Sequence, residues 1–90
     1  MATMKLEIVT PHGVIFDGDV KRVTLPGSEG EFGVLPEHAS FVTTLNRGVI
    51  EIEKADDTKE LVAVNWGHVK VDGDKITVLA DGATDGWYQR

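Results

Sequence analysis

Few residues in this chain have the types that chemistry uses, and their spacing decides what each can do. The histidines are His12, His38 and His68. No two stand at H-x-H or H-x-x-x-H spacing, so the sequence does not lay out a metal site by itself. Gly27-Ser28-Glu29-Gly30 has the look of a nucleophile elbow. The elbow, however, needs G-x-S-x-G on a strand-to-helix turn, and Pro26 stands where its first glycine belongs. Asp-Gly-Asp occurs at 17–19 and again at 72–74. A calcium loop needs further oxygens and a glutamate at its twelfth position, and neither triplet supplies them, so both read as turn or bulge chemistry. The glycines at 27, 30 and 33 are not a phosphate cradle, since no G-K-[ST] follows and Glu29 and Glu31 would repel the anion. No nucleophile, base and oxyanion donor assemble, so catalytic, cofactor-binding and metal-ligating residues are all read as none.

What remains is Leu25 to Ala39, LPGSEGEFGVLPEHA. Pro26 and Pro36 bracket it, and Glu29, Glu31 and Glu37 charge it. Glycine admits positive φ and close approach, while proline fixes φ and removes a donor. The stretch therefore reads as shaped turns presenting backbone and carboxylates, neither core strand nor helix. Gly33 and Gly48 each stand between a turn and a β run, so at least one of them is expected at positive φ.

The elements that must hold this stretch alternate apolar and polar residues. Residues 5–9, 49–53, 68–71 and 75–79 keep a period of two, which places Leu6 with Ile8 and Ile50 with Ile52 on single faces. A strand starts at Val14, turns or bulges at 17–19 and continues over 20–25. Residues 41–45 are rich in β-formers, and Glu60–Trp66 reads as a strand buried on both faces. No segment repeats apolar residues at helical spacing. The expected fold is all-β, an antiparallel β-sandwich of roughly 8–10 short strands with no helix beyond about two turns. Residues 1–82 form the domain and 83–90 a tail, in which Trp87 and Tyr88 either pack back on the sheet or stand exposed.

Ninety residues make one domain with one modest core. Without cysteine there is no disulfide framework or thiolate site, which agrees with a reducing compartment. No apolar run approaches a membrane span, and the N-terminus lacks the basic and apolar regions of a signal peptide. The formal charge of −6 disfavours nucleic acid and anionic lipid as partners.

The run Gly27-Ser28-Glu29-Gly30-Glu31-Phe32-Gly33-Val34-Leu35-Pro36-Glu37-His38-Ala39 closely resembles the signature of the epsilon subunit of F-type ATP synthases, the counterpart of the mitochondrial delta subunit. Phe16-Asp17-Gly18, Arg47-Gly48-Val49-Ile50 and Ile76-Thr77-Val78-Leu79-Ala80-Asp81 are similar to its flanking segments, so the likeness runs from about residue 5 to 82. It implies the N-terminal β-sandwich of a central-stalk rotor subunit. That subunit joins the gamma subunit to the membrane c-ring, supports coupling of ion translocation to ATP synthesis, performs no chemistry and takes no cofactor. By the same resemblance Glu29, Gly30 and Glu31 lie against the c-ring, and His38 lies on the gamma-facing side. The domain would be peripheral to the membrane through its complex, a monomer in isolation, and in a bacterium on the cytoplasmic face of the plasma (inner) membrane. Family members usually continue into a C-terminal helical hairpin. No helix-period segment follows Ala80, so that hairpin and its inhibitory role are not expected here. Two other readings stand beside this one: a small cupin-like metal-dependent enzyme, and a generic β-sandwich module binding a peptide or sugar.

Overall fold

The computed structural model describes residues 3–36 and 40–85. Among them are nine strands and no helix: β1 (Met4–Thr10), β2 (Gly13–Gly27), β3 (Gly30–Val34), β4 (Phe41–Leu45), β5 (Gly48–Lys54), β6 (Lys59–Val64), β7 (Gly67–Asp72), β8 (Lys75–Ala80) and β9 (Ala83–Asp85). They make two layers that share β2. Its first half pairs with β1, and the order β1-β8-β7-β4 completes one layer. Its second half lies between β3 and β5, and β6 and β9 complete the other. Every pairing is antiparallel except β1 with β8. That parallel pair ties the two ends of the domain together, and the Lys5 amide donates to the Asp74 carbonyl at 2.7 Å.

Alternation explains the core. Leu6 and Ile8, Ile50 and Ile52, Val69 and Val71, and Ile76 and Val78 all point inward and are fully or almost fully buried. Each contributes roughly 1.5–3 kcal/mol. They join Val23, Leu25, Val34, Val62 and others in one apolar cluster between the layers.

Strand β2 crosses from layer to layer by breaking its own period. Val20 and Val23 stand three residues apart, yet both are fully buried. A bulge permits this: the register with β5 shifts between Val20 and Arg22. One extra residue resets the facing of the side chains and sharpens the twist, as sandwich corners require. A second irregularity lies opposite Ile8 and Val9.

Five sequence expectations need correction. The first Asp-Gly-Asp is neither turn nor bulge. Asp17, Gly18 and Asp19 continue β2 opposite Glu7, Leu6 and Lys5, and the Phe16 ring lies over Gly18, 3.7 Å from where a Cβ would stand. The second triplet does turn: Asp72 pairs with Lys75, and Gly73 has φ 63°, as a two-residue II′ hairpin with glycine first demands. Strand β6 buries only one face fully, with Leu61 and Ala63 half-buried on the other. The Gly-rich stretch is largely strand, closing β2 and forming β3, and its Leu25 and Val34 are fully buried. Neither Gly33 nor Gly48 has positive φ; Gly13, Gly30 and Gly73 do. Residues 83–85, at the start of the segment that carries no period, add β9 to the edge of β6. Trp87 and Tyr88 lie outside the described residues.

A candidate protein-contact site at the β2–β3 hairpin

The hairpin tip is short. Gly27 faces Gly30, leaving Ser28 and Glu29 as the whole turn. Two glycines close it for different reasons. Gly30 has open space around it, but its φ of 116° is one that side-chain-bearing residues rarely adopt. Gly27 has ordinary φ, but a Cβ there would stand 2.8 Å from the Phe32 ring and 2.9 Å from the Gly30 carbonyl oxygen. The base of the hairpin is clasped to the other layer and to its neighbour β5. The Asn46 amide donates to the Pro26 carbonyl at 2.7 Å, Gly27 meets Leu45, and Pro26 packs on Gly48.

Glu29, Gly30 and Glu31 are brought together at the tip, all exposed. Among the described residues neither carboxylate makes an ion pair or a hydrogen bond. Beside them runs an open groove of about 470 Å³, lined by Gly27 to Phe32 and by Phe41, Val42 and Thr43. Phe32 and Phe41 meet edge-to-face across it, with ring centroids 6.0 Å apart and an interplanar angle of 64°. His38 lies outside the described residues.

A second surface escaped the sequence reading. On the outside of the β1-β8-β7-β4 layer, Val9 faces Leu79 and Leu79 faces His68. With Trp66, Thr10 and Pro11 they line a hollow of about 380 Å³. Trp66 is 58% exposed and Leu79 54%, and Val42 on the same layer reaches 68%. The signal was present: in Ile76-Thr77-Val78-Leu79-Ala80 the outward parity falls on a leucine. Its partner Val9 comes from the opposite end of the chain, which no local pattern announces.

Elsewhere the charges are paired along the rim. Lys5 bridges Asp17 at 3.4 Å and Lys54 bridges Glu60 at 2.9 Å. In the β5–β6 loop the Thr58 hydroxyl donates to Asp56 at 2.6 Å and its amide does so at 3.1 Å. These bonds hold the Asp56 carboxyl below its ordinary range. Lys21 donates to Asp57, and that bond raises the lysine's pKa. No three His, Asp or Glu side chains converge as metal ligands among the described residues. The metal-enzyme alternative therefore finds no site there.

Comparison with known proteins follows this geometry. Residues 3–86 match the family described as ATP synthase, Delta/Epsilon chain, beta-sandwich domain. The ATP synthase epsilon chain of Sulfurovum sp. (strain NBC37-1) is 68% identical over 83 residues, which are 92% of this chain and 65% of that protein. The ATP synthase epsilon chain of Wolinella succinogenes is 65% identical over 83 residues, 92% of this chain and 63% of that protein. The chain thus spans just under two thirds of the length of these curated relatives. Among solved structures, a chain of the Euglena gracilis mitochondrial ATP synthase (OSCP/F1/c-ring) superposes with a TM-score of 0.88 at 24% identity, covering 94% of this chain and 54% of that one. A chain of the Tetrahymena thermophila mitochondrial ATP synthase (central stalk/c-ring) gives 0.75 at 18%, covering 93% and 67%. At those identities the likeness is one of fold alone. With a sandwich of the same architecture and a family match over nearly its whole length, this chain belongs to the ATP synthase delta/epsilon chain β-sandwich domain family.

Proposed function

We propose that this domain is a non-catalytic part of the central stalk of an F-type ATP synthase, joining the gamma subunit to the c-ring so that ion translocation is coupled to ATP synthesis. The observation that carries the proposal is the hairpin tip. It is acidic and exposed, its carboxylates have no partner among the described residues, and its base is clasped to both layers of a stiff scaffold. Close-packed interiors transmit strain with little compression, which suits a body that turns with its neighbours. On this reading Glu29, Gly30 and Glu31 meet polar or basic groups on the ring's exposed loops, and the positive-φ glycine lets the two backbones approach. His38 lies on the gamma-facing side. The apolar outer surface with Val42, Trp66 and Leu79 supports a large protein partner, because exposed apolar patches of this kind mark interaction sites. The complex places the domain at the membrane periphery, on the cytoplasmic face in a bacterium.

The test reverses the tip charges, Glu29→Lys with Glu31→Lys, in the assembled complex. Exposed carboxylates contribute only ~0–1 kcal/mol to stability, so the melt stays near that of the parent. Rim charges govern association rate and salt dependence. Binding to ring-containing membranes therefore weakens at low salt, and the difference shrinks as salt rises. ATP hydrolysis by the detached catalytic head stays close to normal. Unchanged low-salt binding with an unchanged melt refutes the ring contact.

A further inference from the structure

The base of the β2–β3 hairpin is clasped and its Leu25 and Val34 are buried, but its outer part, Ser28 to Phe32, stands beyond that clasp. Among the described residues strand β3 has one neighbour, β2. Strand β4, across the groove, pairs with β7 and meets β2 at the single Gly27–Leu45 position. Among the described residues no ladder joins β3 to β4. An open groove of about 470 Å³ lies between them.

A ring contact crosses that space. The Phe32 ring, on the hairpin, meets the Phe41 ring, on the other layer, edge-to-face at 6.0 Å. Phe32 also covers Gly27, where a Cβ would stand 2.8 Å from its Cδ1 and Cε1. Both rings are half-buried and pack against the core. The hairpin is thereby pinned from beneath by its own second strand and from the side by β4. We infer that Phe32 and Phe41 are positioning residues: their pair, seated over Gly27, fixes the angle at which Ser28 to Glu31 are presented. This rests on the reading of the tip as the ring-facing surface. A contact made by so few residues gains most from being ordered beforehand, since ordering a loop on binding costs affinity.

The experiment measures backbone order at Ser28–Glu31 by NMR relaxation in the unmodified chain, in Phe32→Leu and in Phe41→Leu, with a melt for each. It also measures binding of each to ring-containing membranes beside the charge-reversed variant. Rigid backbone gives order parameters near ~0.85 and flexible backbone falls below ~0.6. The unmodified tip reads as rigid. Either leucine variant drops the tip to the flexible range while the other strands hold, and binding weakens about three- to tenfold with both glutamates intact. An unchanged tip in both variants overturns the inference. So does lost tip order with unchanged binding, when charge reversal does weaken binding. If neither the leucine variants nor charge reversal affects binding, yet tip order is lost, the brace stands and the ring-facing reading fails. Should neither leucine variant fold, the unmodified chain decides: a flexible tip overturns the brace, and a rigid one with contacts between the two rings supports it.

Discussion

Gly67 offers the sharpest quantitative test of the fold. It opens β7, between Leu45 of β4 and Ala80 of β8. A Cβ at this position would stand 2.0 Å from the Leu79 carbonyl oxygen and 2.9 Å from both the Leu79 carbonyl carbon and the Ala80 Cα. All three are backbone atoms in a paired strand, so no side-chain rotation relieves the clash. Ordinary contact needs about 3.5 Å, so β7 and β8 must separate by more than an ångström. Overpacking typically costs 1–3 kcal/mol, and each ladder bond lost adds about 0.5–1.5 kcal/mol. Gly67→Ala should therefore destabilise by roughly 3–5 kcal/mol. At about 4–8 °C per kcal/mol for a domain of this size, the melting temperature falls by at least about 12 °C. The control is Gly33→Ala. There the φ is ordinary and the nearest atom to a Cβ is Arg22 Nε at 3.8 Å, so the change stays within about 0.5 kcal/mol. Thermal melts by circular dichroism, repeated as urea titrations, read both. If Gly67→Ala melts within about 4 °C of the parent, the close approach of β7 to the Leu79 carbonyl is wrong.

Gly48→Ala sets a Cβ 2.9 Å from Pro26 Cβ and 3.1 Å from its Cγ; because the proline ring cannot rotate away, the melt reports a loss of about 1–3 kcal/mol, and an unchanged melt removes the clasp between the hairpin base and β5. The pH dependence has a stated sign. Asp56 has its pKa lowered by the Thr58 hydroxyl and amide, so its contribution is present above the unfolded carboxylate range near pH 4 and is lost as pH falls through the folded value; Asp56→Asn flattens that acid-side fall in melts from pH 7 to 3, and a parallel fall in both proteins counts against it.

How much of this was legible in the residues depends on whether alternation runs unbroken. In Gly48–Lys54 and Lys75–Ala80 it does, and both the strand and its inward face follow from the period alone. In β2 it does not. The extra residue at the bulge near Lys21 has no composition of its own, so the sequence reading set the irregularity at Asp17–Asp19, whereas the register shifts between Val20 and Arg22. Asp-Gly-Asp shows the same ambiguity. At 72–74 the glycine supplies a positive φ, while at 18 it lies in an extended strand beneath the Phe16 ring, where a Cβ would make only ordinary contact. Identical letters meet different demands because the demand comes from what stands opposite.

That argument extends to the candidate site. The glycines of the hairpin announce a special backbone, but their number does not say why each is there. Gly30 answers to φ, Gly27 to an aromatic ring five residues on, and Gly33 to neither space nor φ, while Gly48 of β5 answers to the hairpin's proline. The acids were legible because exposed charge on a turn needs no partner to be recognised. The aromatic pair was not, because Phe32 and Phe41 belong to different layers and only the folded chain makes them neighbours. A partner that reads the tip therefore reads two kinds of information at once. On the proposed reading the charges set what it binds, and the half-buried ring pair beneath them sets the angle.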